Sequence, residues 1–377
     1  MVIILIVLLA LLLMTFPGYF VILLIGRLFS RRQVKKADIL PSVTFITTAY
    51  NEESVIEEKL LNSLEIDYPS ESFDITVASD CSTDGTDEIV SRYASRGIKL
   101  VRASSRKGKT GAQNESLKYA KGDILVFSDA NTMYSPDAIR KLVANFADPE
   151  VGCVGGRLVY VSDTQRELIS EKGLYERVDQ YIKKLESDVY SCIGLDGAIY
   201  AIRKELARPI PESLTTDFMV PLDVIVQGYR VVFEGDAVVY EEVPSSSYVE
   251  FRRKIRTVSA GATALYAARR LLNPFKFGWT AWFLIFHKVL RWITPFFLVS
   301  LLIVTYLLSP HSAGYSLFLW AQVTFYVLAL LGGFLRRSFP IKIFTVPFFF
   351  CMTSISALWG LVLFVRGRRS EVWDVER

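Results

Sequence analysis

The sequence predicts an α/β domain with a mostly parallel sheet, set between membrane-spanning helices. Three observations carry this expectation. Strand-like and helix-like patterns alternate from Pro41 to Glu242, as βαβ units require. No charged residue occurs from Val2 to Ile25, and three more apolar stretches follow the domain: Thr294 to Leu308, Tyr315 to Leu335 and Thr345 to Val365. Hydrophobic residues make up 51% of the 377, with the excess at the two ends.

The first apolar run is about 24 residues, roughly 36 Å of helix and enough for a ~30 Å hydrocarbon core. It is too long for a signal peptide, lacks a basic leader and precedes no small-residue cleavage site, so residues 1–30 read as a retained helix, with Pro17 and Gly18 as its kink. Arg27, Arg31, Arg32, Lys35 and Lys36 follow at once and place the domain of residues 37–245 in the cytosol. Residues 246–291 read as interfacial amphipathic helices, because a crossing by Trp279 to Phe286 would export His287, Lys288 and Arg291. Residues 292–366 hold three crossings and 367–377 a polar tail, giving a multi-pass protein of the plasma membrane. The Arg336–Arg337 loop suits the inside, whereas parity leaves Arg366, Arg368 and Arg369 outside, against the charge rule.

A net charge of +4, with basic residues beside the apolar segments, argues against nucleic acid and for anionic membrane lipids and phosphates. The cysteines Cys81, Cys153, Cys192 and Cys351 have no metal or redox spacing. His287 and His311 are the only histidines, and both lie outside the predicted domain. That excludes His-dependent triads and His-ligated zinc within it, leaving carboxylates for acid or base chemistry.

Within the domain, Ser42 to Thr47 reads as a strand and Glu53 to Leu64 as a helix. Ile75 to Ala78 is a strand, Thr86 to Tyr93 a helix, Ile98 to Val101 a strand and Thr110 to Tyr119 a helix. The run Gly122 to Thr132 supplies the central buried strand, and a helix bearing Ile139, Leu142, Val143 and Phe146 follows. Ligands of such sheets bind beyond the strand carboxyl ends. There Asp129 and Asn131 stand two residues apart, on one side of an extended segment, where their oxygens suit a divalent cation; an ordinary turn is the alternative. Tyr50 offers a ring on which a planar ligand can stack, and Asp80 a carboxylate for a nucleobase N–H; a helix cap by Asp84 or Thr86 is the alternative reading of this turn. Arg106 to Gly111 is a basic, glycine-bearing entry to a helix where Lys109 suits phosphate, although the P-loop spacing is absent.

With these motifs in order, the stretch from Pro41 to Thr257 resembles the membrane-anchored glycosyltransferases of family 2, with the GT-A fold, which include cellulose and hyaluronan synthases. The resemblance implies that Tyr50, Asn51, Glu52 and Asp80 hold uridine. It also implies that Asp129, with Asn131 replacing the second Asp of a D-x-D motif, binds Mg²⁺ or Mn²⁺ on the diphosphate. Cys81 stands where a glycine is common. Leu195 to Arg203 resembles the segment near the acceptor, assigning Gly197 and Ala198 there; a strand bulge at Gly197 is the alternative. Asp217, in Leu214-Thr215-Thr216-Asp217-Phe218, matches the general base, although a first-turn helix residue also fits. Arg252 to Thr257 resembles Q-x-x-R-W, with Arg253 for Gln, Arg256 retained on the donor and Thr257 for Trp, while Arg252 and Lys254 also suit anionic lipid.

The resulting expectation is inverting transfer from a UDP-sugar to a lipid-linked or glycan acceptor hydroxyl. The alternatives are a processive synthase that extrudes its product, with a homo-oligomer supplying more helices, and a catalytically silent nucleotide-sugar binder.

Overall fold

Proline inside an apolar helix removes one amide hydrogen bond, and the first candidate membrane segment absorbs this as a widened turn. In the computed structural model, α1 (Val2–Leu13) runs through a π-helical turn, Met14–Gly18, that contains Pro17, into α2 (Tyr19–Phe29). The structure describes residues 1–161, 166–242, 247–335 and 341–367, with side chains described at all of these except 166–175 and 247. Arg336, Arg337, Arg368, Arg369 and the tail beyond Gly367 lie outside the described residues.

The domain proceeds as β1 (Val43–Ala49), α3 (Ile56–Leu64), β2 (Phe73–Ser79), α4 (Thr86–Arg92), β3 (Ile98–Arg102) and α5 (Gly108–Leu117). Then come β4 (Ile124–Asp129), β5 (Thr132–Tyr134), α6 (Ala138–Val143), β6 (Val151–Val161), α7 (Arg166–Val189), β7 (Ile199–Arg203), α8 (Thr216–Val226) and β8 (Arg230–Glu242). Helices α9 (Ser247–Ala267), α10 (Pro274–Phe277), α11 (Trp279–Phe283), α12 (Leu290–Leu308), α13 (Ala313–Leu335) and α14 (Lys342–Val365) complete the chain.

The strands form one eight-stranded sheet in the order β3-β2-β1-β4-β7-β6-β8-β5. The first four are parallel neighbours, β7 runs against both β4 and β6, and β5 runs against β8. Connections leave β1 and β4 in opposite directions across the sheet, so the switch point falls between them, where ligands of such sheets bind. Register brings Thr48 opposite Asp129 and Ala49 opposite Ser79, so three strand ends finish level.

Alternation along the strands feeds two cores. Phe45, Val77 and Val126 pack with Leu60 and Leu142 on one face, while Ile46, Ala78, Leu125 and Phe127 pack with Ala112 and Tyr200 on the other. Gly122 turns tightly into β4, where an added Cβ would lie 2.4 Å from the Thr44 amide nitrogen. A third core joins the domain to the apolar helices through Tyr19 and Leu23 of α2, Leu185 and Val189 of α7, Phe218 of α8, Leu265 of α9 and Phe283 of α11.

Four helices are long and apolar enough to cross a membrane: Val2–Phe29, Trp279–His311, Ala313–Leu335 and Lys342–Val365. The sequence reading divides the second near residue 291. The structure instead joins α11 to α12 through a π-helical turn, Leu284–Val289, making one helix of 33 residues. At ~1.5 Å per residue this is longer than a ~30 Å hydrocarbon core requires.

Candidate functional site

The loop from β1 to α3 closes on the loop from β2 to α4. Asn51 adopts φ 52°, its Oδ1 accepts the Thr83 amide at 2.8 Å, and its own amide donates to Ser82 Oγ. Glu52 is buried and its amide donates to Thr86 Oγ1 at 2.8 Å. Glu53 is tied to Asp84 and Gly85, so α3 starts at Ile56 and not at Glu53 as its sequence suggests. Cys81 has φ 61°, the left-handed region that favours glycine.

Asp80 is fully buried and accepts the backbone amides of Lys107 and Gly108, both at 2.8 Å. Burial pushes its pKa up, against those two amides and the Arg106 charge. The carboxylate expected to meet a nucleobase therefore also shapes the basic loop, and α5 begins at Gly108, two residues before its expected start. Arg106 lies 3.9 Å over the Tyr50 ring, so the surface expected to stack a planar ligand carries a cation.

At the end of β4 the chain turns at once into β5, held by Thr132 Oγ1 donating to the Asp129 carbonyl at 3.0 Å. The extended spacing assumed for Asp129 and Asn131 is thereby broken. Asn131 Nδ2 donates instead to Glu241 Oε1 at 3.3 Å, because Thr132 pairs with Glu241 across β5 and β8. Asp129 is ion-paired with Lys109 through its buried Oδ1. Among the described residues no three His, Cys, Asp or Glu side chains gather as a metal cage. One carboxylate with a nearby amide fits an ion held mainly by diphosphate and water, the usual state of Mg²⁺ beside a nucleotide.

Lys109 Nζ also donates to the Gly197 carbonyl at 3.1 Å. An added Cβ at Gly197 would lie 2.9 Å from that nitrogen and 3.6 Å from Asp217 Cβ, so Gly197 separates the two side chains. Asp217 sits in the first turn of α8, and its carbonyl accepts the Leu195 amide at 3.0 Å. The Ala198 carbonyl accepts the Tyr134 hydroxyl at 3.1 Å. Four expected residues, Lys109, Asp129, Gly197 and Asp217, thus converge. Arg253 is placed otherwise: its guanidinium grips Glu250 at 3.0 and 3.1 Å and reaches the Tyr160 hydroxyl at 3.3 Å. Burial opposes its charge, and Tyr160 and Glu250 more than offset this. Arg256 follows one turn later on α9, and Thr257 turns its hydroxyl back to the Arg253 carbonyl.

Sequence reasoning missed Lys59. It is fully buried, donates to the Thr132 carbonyl, and lies 4.4 Å from the Tyr134 ring and 5.2 Å from that of Phe45, supporting the turn that follows Asp129. The available signal was its place on the apolar face of α3, between Ile56, Leu60 and Ser63. Burial lowers its pKa to about 7, against the Asp129 charge. An unfolded lysine titrates near ~10.4. Between those values the unfolded chain binds more protons, so the burial penalty is complete below the folded pKa and stability rises with pH above it. Relative to Lys59→Met, the wild type should gain stability by up to about 1.4 kcal/mol per pH unit on going from neutral to alkaline buffer. Urea unfolding of both proteins across that range measures this, and a constant difference contradicts it.

Residues 44–208 match the family model for glycosyl transferase family 2. The chain is 26% identical over 243 residues to poly-beta-1,6-N-acetyl-D-glucosamine synthase of Staphylococcus aureus, covering 61% of this chain and 58% of that one. It is 25% identical over 228 residues to the probable glycosyltransferase YdaM of Bacillus subtilis, covering 58% and 54%. The matches thus span little more than half the length of these relatives. The solved mannosyltransferase PcManGT from Pyrobaculum calidifontis, in complex with GDP-Man and Mn²⁺, superposes with a TM-score of 0.70 over 97% of this chain and 99% of that one, at 23% identity, a likeness of fold. The family match contains the strand ends that assemble Asp80, Lys109 and Asp129, and the shared fold extends through the apolar helices; residues 44–208 are a glycosyl transferase family 2 domain, on a GT-A fold set between candidate membrane spans.

Proposed function

We propose that this protein is an inverting glycosyltransferase that moves a sugar from a UDP-sugar to a hydroxyl of a membrane-associated acceptor, lipid-linked or polysaccharide. The observation that carries this is Gly197, which leaves Asp217 on one side and the Lys109–Asp129 pair on the other. Asp217 takes the acceptor proton as that oxygen attacks C1; the bond from C1 to the diphosphate breaks on the opposite face and UDP departs with the bonding pair. Lys109 and Arg256 are the cations assigned to the growing diphosphate charge. A divalent ion, Mg²⁺ or Mn²⁺, held by Asp129 with Asn131 beside it, would neutralise the same charge. The Mn²⁺ in the PcManGT structure supports this assignment, and the polysaccharide named for the Staphylococcus aureus relative supports a glycan acceptor. Thr257, exposed and bonded within its own helix, offers no aromatic platform for an acceptor sugar, which favours short products over long chains.

The test is a panel of UDP- and GDP-sugars with Mg²⁺ or Mn²⁺, following nucleotide release, product mass and anomeric configuration. Turnover of a UDP-sugar with inversion is expected; retained configuration, or exclusive use of a GDP-sugar, overturns the reading. The basic cluster Arg27 to Lys36 supports a domain on the cytosolic side of the plasma membrane. A cysteine introduced at Ser104 in a cysteine-free background should therefore stay unlabelled by an impermeant thiol reagent on intact cells, and labelling from outside reverses the orientation.

A further inference from the structure

Three successive residues beside Asp217 are held by three different partners. The Leu195 amide bonds the Asp217 carbonyl at 3.0 Å, the Asp196 carboxylate meets Lys183 Nζ at 3.0 Å, and the Gly197 carbonyl meets Lys109 Nζ at 3.1 Å. The outer two contacts belong to the site already described. The middle one leads out of it.

Lys183 lies on α7 with its side chain only 7% exposed, and it also pairs with Asp179 at 3.1 Å. Asp179 faces His287 Nε2 at 3.2 Å and Arg291 at 3.5 Å, both on the 33-residue apolar helix. The other ring nitrogen of His287 lies 2.6 Å from Glu186 Oε1, which accepts the Tyr19 hydroxyl of α2 at 2.6 Å. Asp179, Lys183 and Glu186 share one face of α7 by their spacing of four and three. An unbroken polar chain thus runs Asp196–Lys183–Asp179–His287–Glu186–Tyr19, from the catalytic segment to two of the candidate membrane helices. Burial works against the Asp179 charge, but Lys183 and His287 hold its carboxyl well below the usual range. Burial likewise opposes the Lys183 charge, and Asp196 with Asp179 holds the ammonium well above its usual value. Apolar residues of similar volume would stabilise such an interface at least as well, so a fully paired ionic chain is better explained by the geometry it imposes.

We infer that Lys183 is a positioning residue: through Asp196 it sets Leu195 to Gly197, and with them Asp217 and Lys109, at a fixed place relative to the membrane helices that carry Tyr19 and His287. The inference rests on Asp217 and Lys109 acting as proposed above. Small displacements in such a constellation are costly, a ~1 Å misplacement reaching about 10²-fold in rate.

The experiment compares Lys183→Met, Asp196→Asn, their combination and Lys183→Arg in the full-length protein in nanodiscs. Each of the first two should lower kcat by at least about tenfold with donor KM within about threefold, and Lys183→Arg should recover most of the loss. Because both remove one shared contact, the combination should be no more than about twofold worse than the more severe single variant. Hydrogen exchange at the Leu195 amide should accelerate by about tenfold or more while Val126 in β4 is unchanged. Near-wild-type kcat with unchanged Leu195 exchange overturns the inference, as do multiplying losses in the combination or faster exchange that reaches β4. If Lys183→Met does not fold, Asp196→Asn decides by the same readouts. If the wild type transfers no sugar, the proposed function fails, and Leu195 exchange still decides the positioning role.

Discussion

Asp217→Asn should lower sugar transfer by at least ~10²-fold, the lower end of what a general base contributes. Donor affinity should stay within about threefold, a difference below ~1 kcal/mol. The two expectations separate because Asp217 meets the rest of the site in two ways. Its backbone carbonyl holds the Leu195 amide, a bond that Asn retains. Its side chain leaves the start of α8 with Cβ beside Gly197, and there Asn preserves shape but cannot take a proton. Single-turnover transfer and calorimetric titration with UDP-sugar measure the two quantities. Surviving transfer in a folded variant moves the base elsewhere, whereas collapse of donor binding together with transfer makes Asp217 a structural residue of the α8 turn.

Asp129→Ala should abolish metal-dependent UDP release, a loss of at least ~10²-fold for one group aimed at the leaving charge. It should also weaken Mn²⁺ binding in the presence of UDP. Two effects add here, since the variant loses the ligand and leaves Lys109 without the carboxylate that pairs with it. Asn131→Asp should retain or improve activity, because it restores a charged oxygen beside the same turn. Its contact with Glu241 also becomes a repulsion between carboxylates, which an added cation would relieve. Calorimetry with Mn²⁺ and UDP, together with release assays in EDTA, checks the pair. Full activity in EDTA ends the metal assignment.

The parallel strands and the apolar helices were legible in the sequence because both are written in local pattern. Phe45 and Ile46 feed opposite cores through the period of two that marks β1 as a strand, and Val2 to Ile25 needs only its length and lack of charge to read as a crossing. That Lys109 and Asp129 meet was legible at one remove, because motifs at strand ends meet once the sheet is assumed parallel, whereas Gly197, before the antiparallel β7, and Asp217, in the first turn of α8, were assigned only through the family resemblance. Local pattern misled where the chain departs from regular geometry. Asp129 and Asn131 would share a face of a continued strand, but the turn into β5 sends Asn131 to Glu241.

Asp80, Lys59 and Lys183 were decided only by tertiary structure. The partners of Asp80 are backbone amides 27 and 28 positions away, Lys59 reaches a carbonyl 73 positions on, and His287 meets Asp179 across 108. Hydrophobic periodicity extends over a few turns or one strand and carries no information at such separations. Whether a buried charge is tolerated depends on which groups the folded chain brings to it, and that is a property of the packed structure.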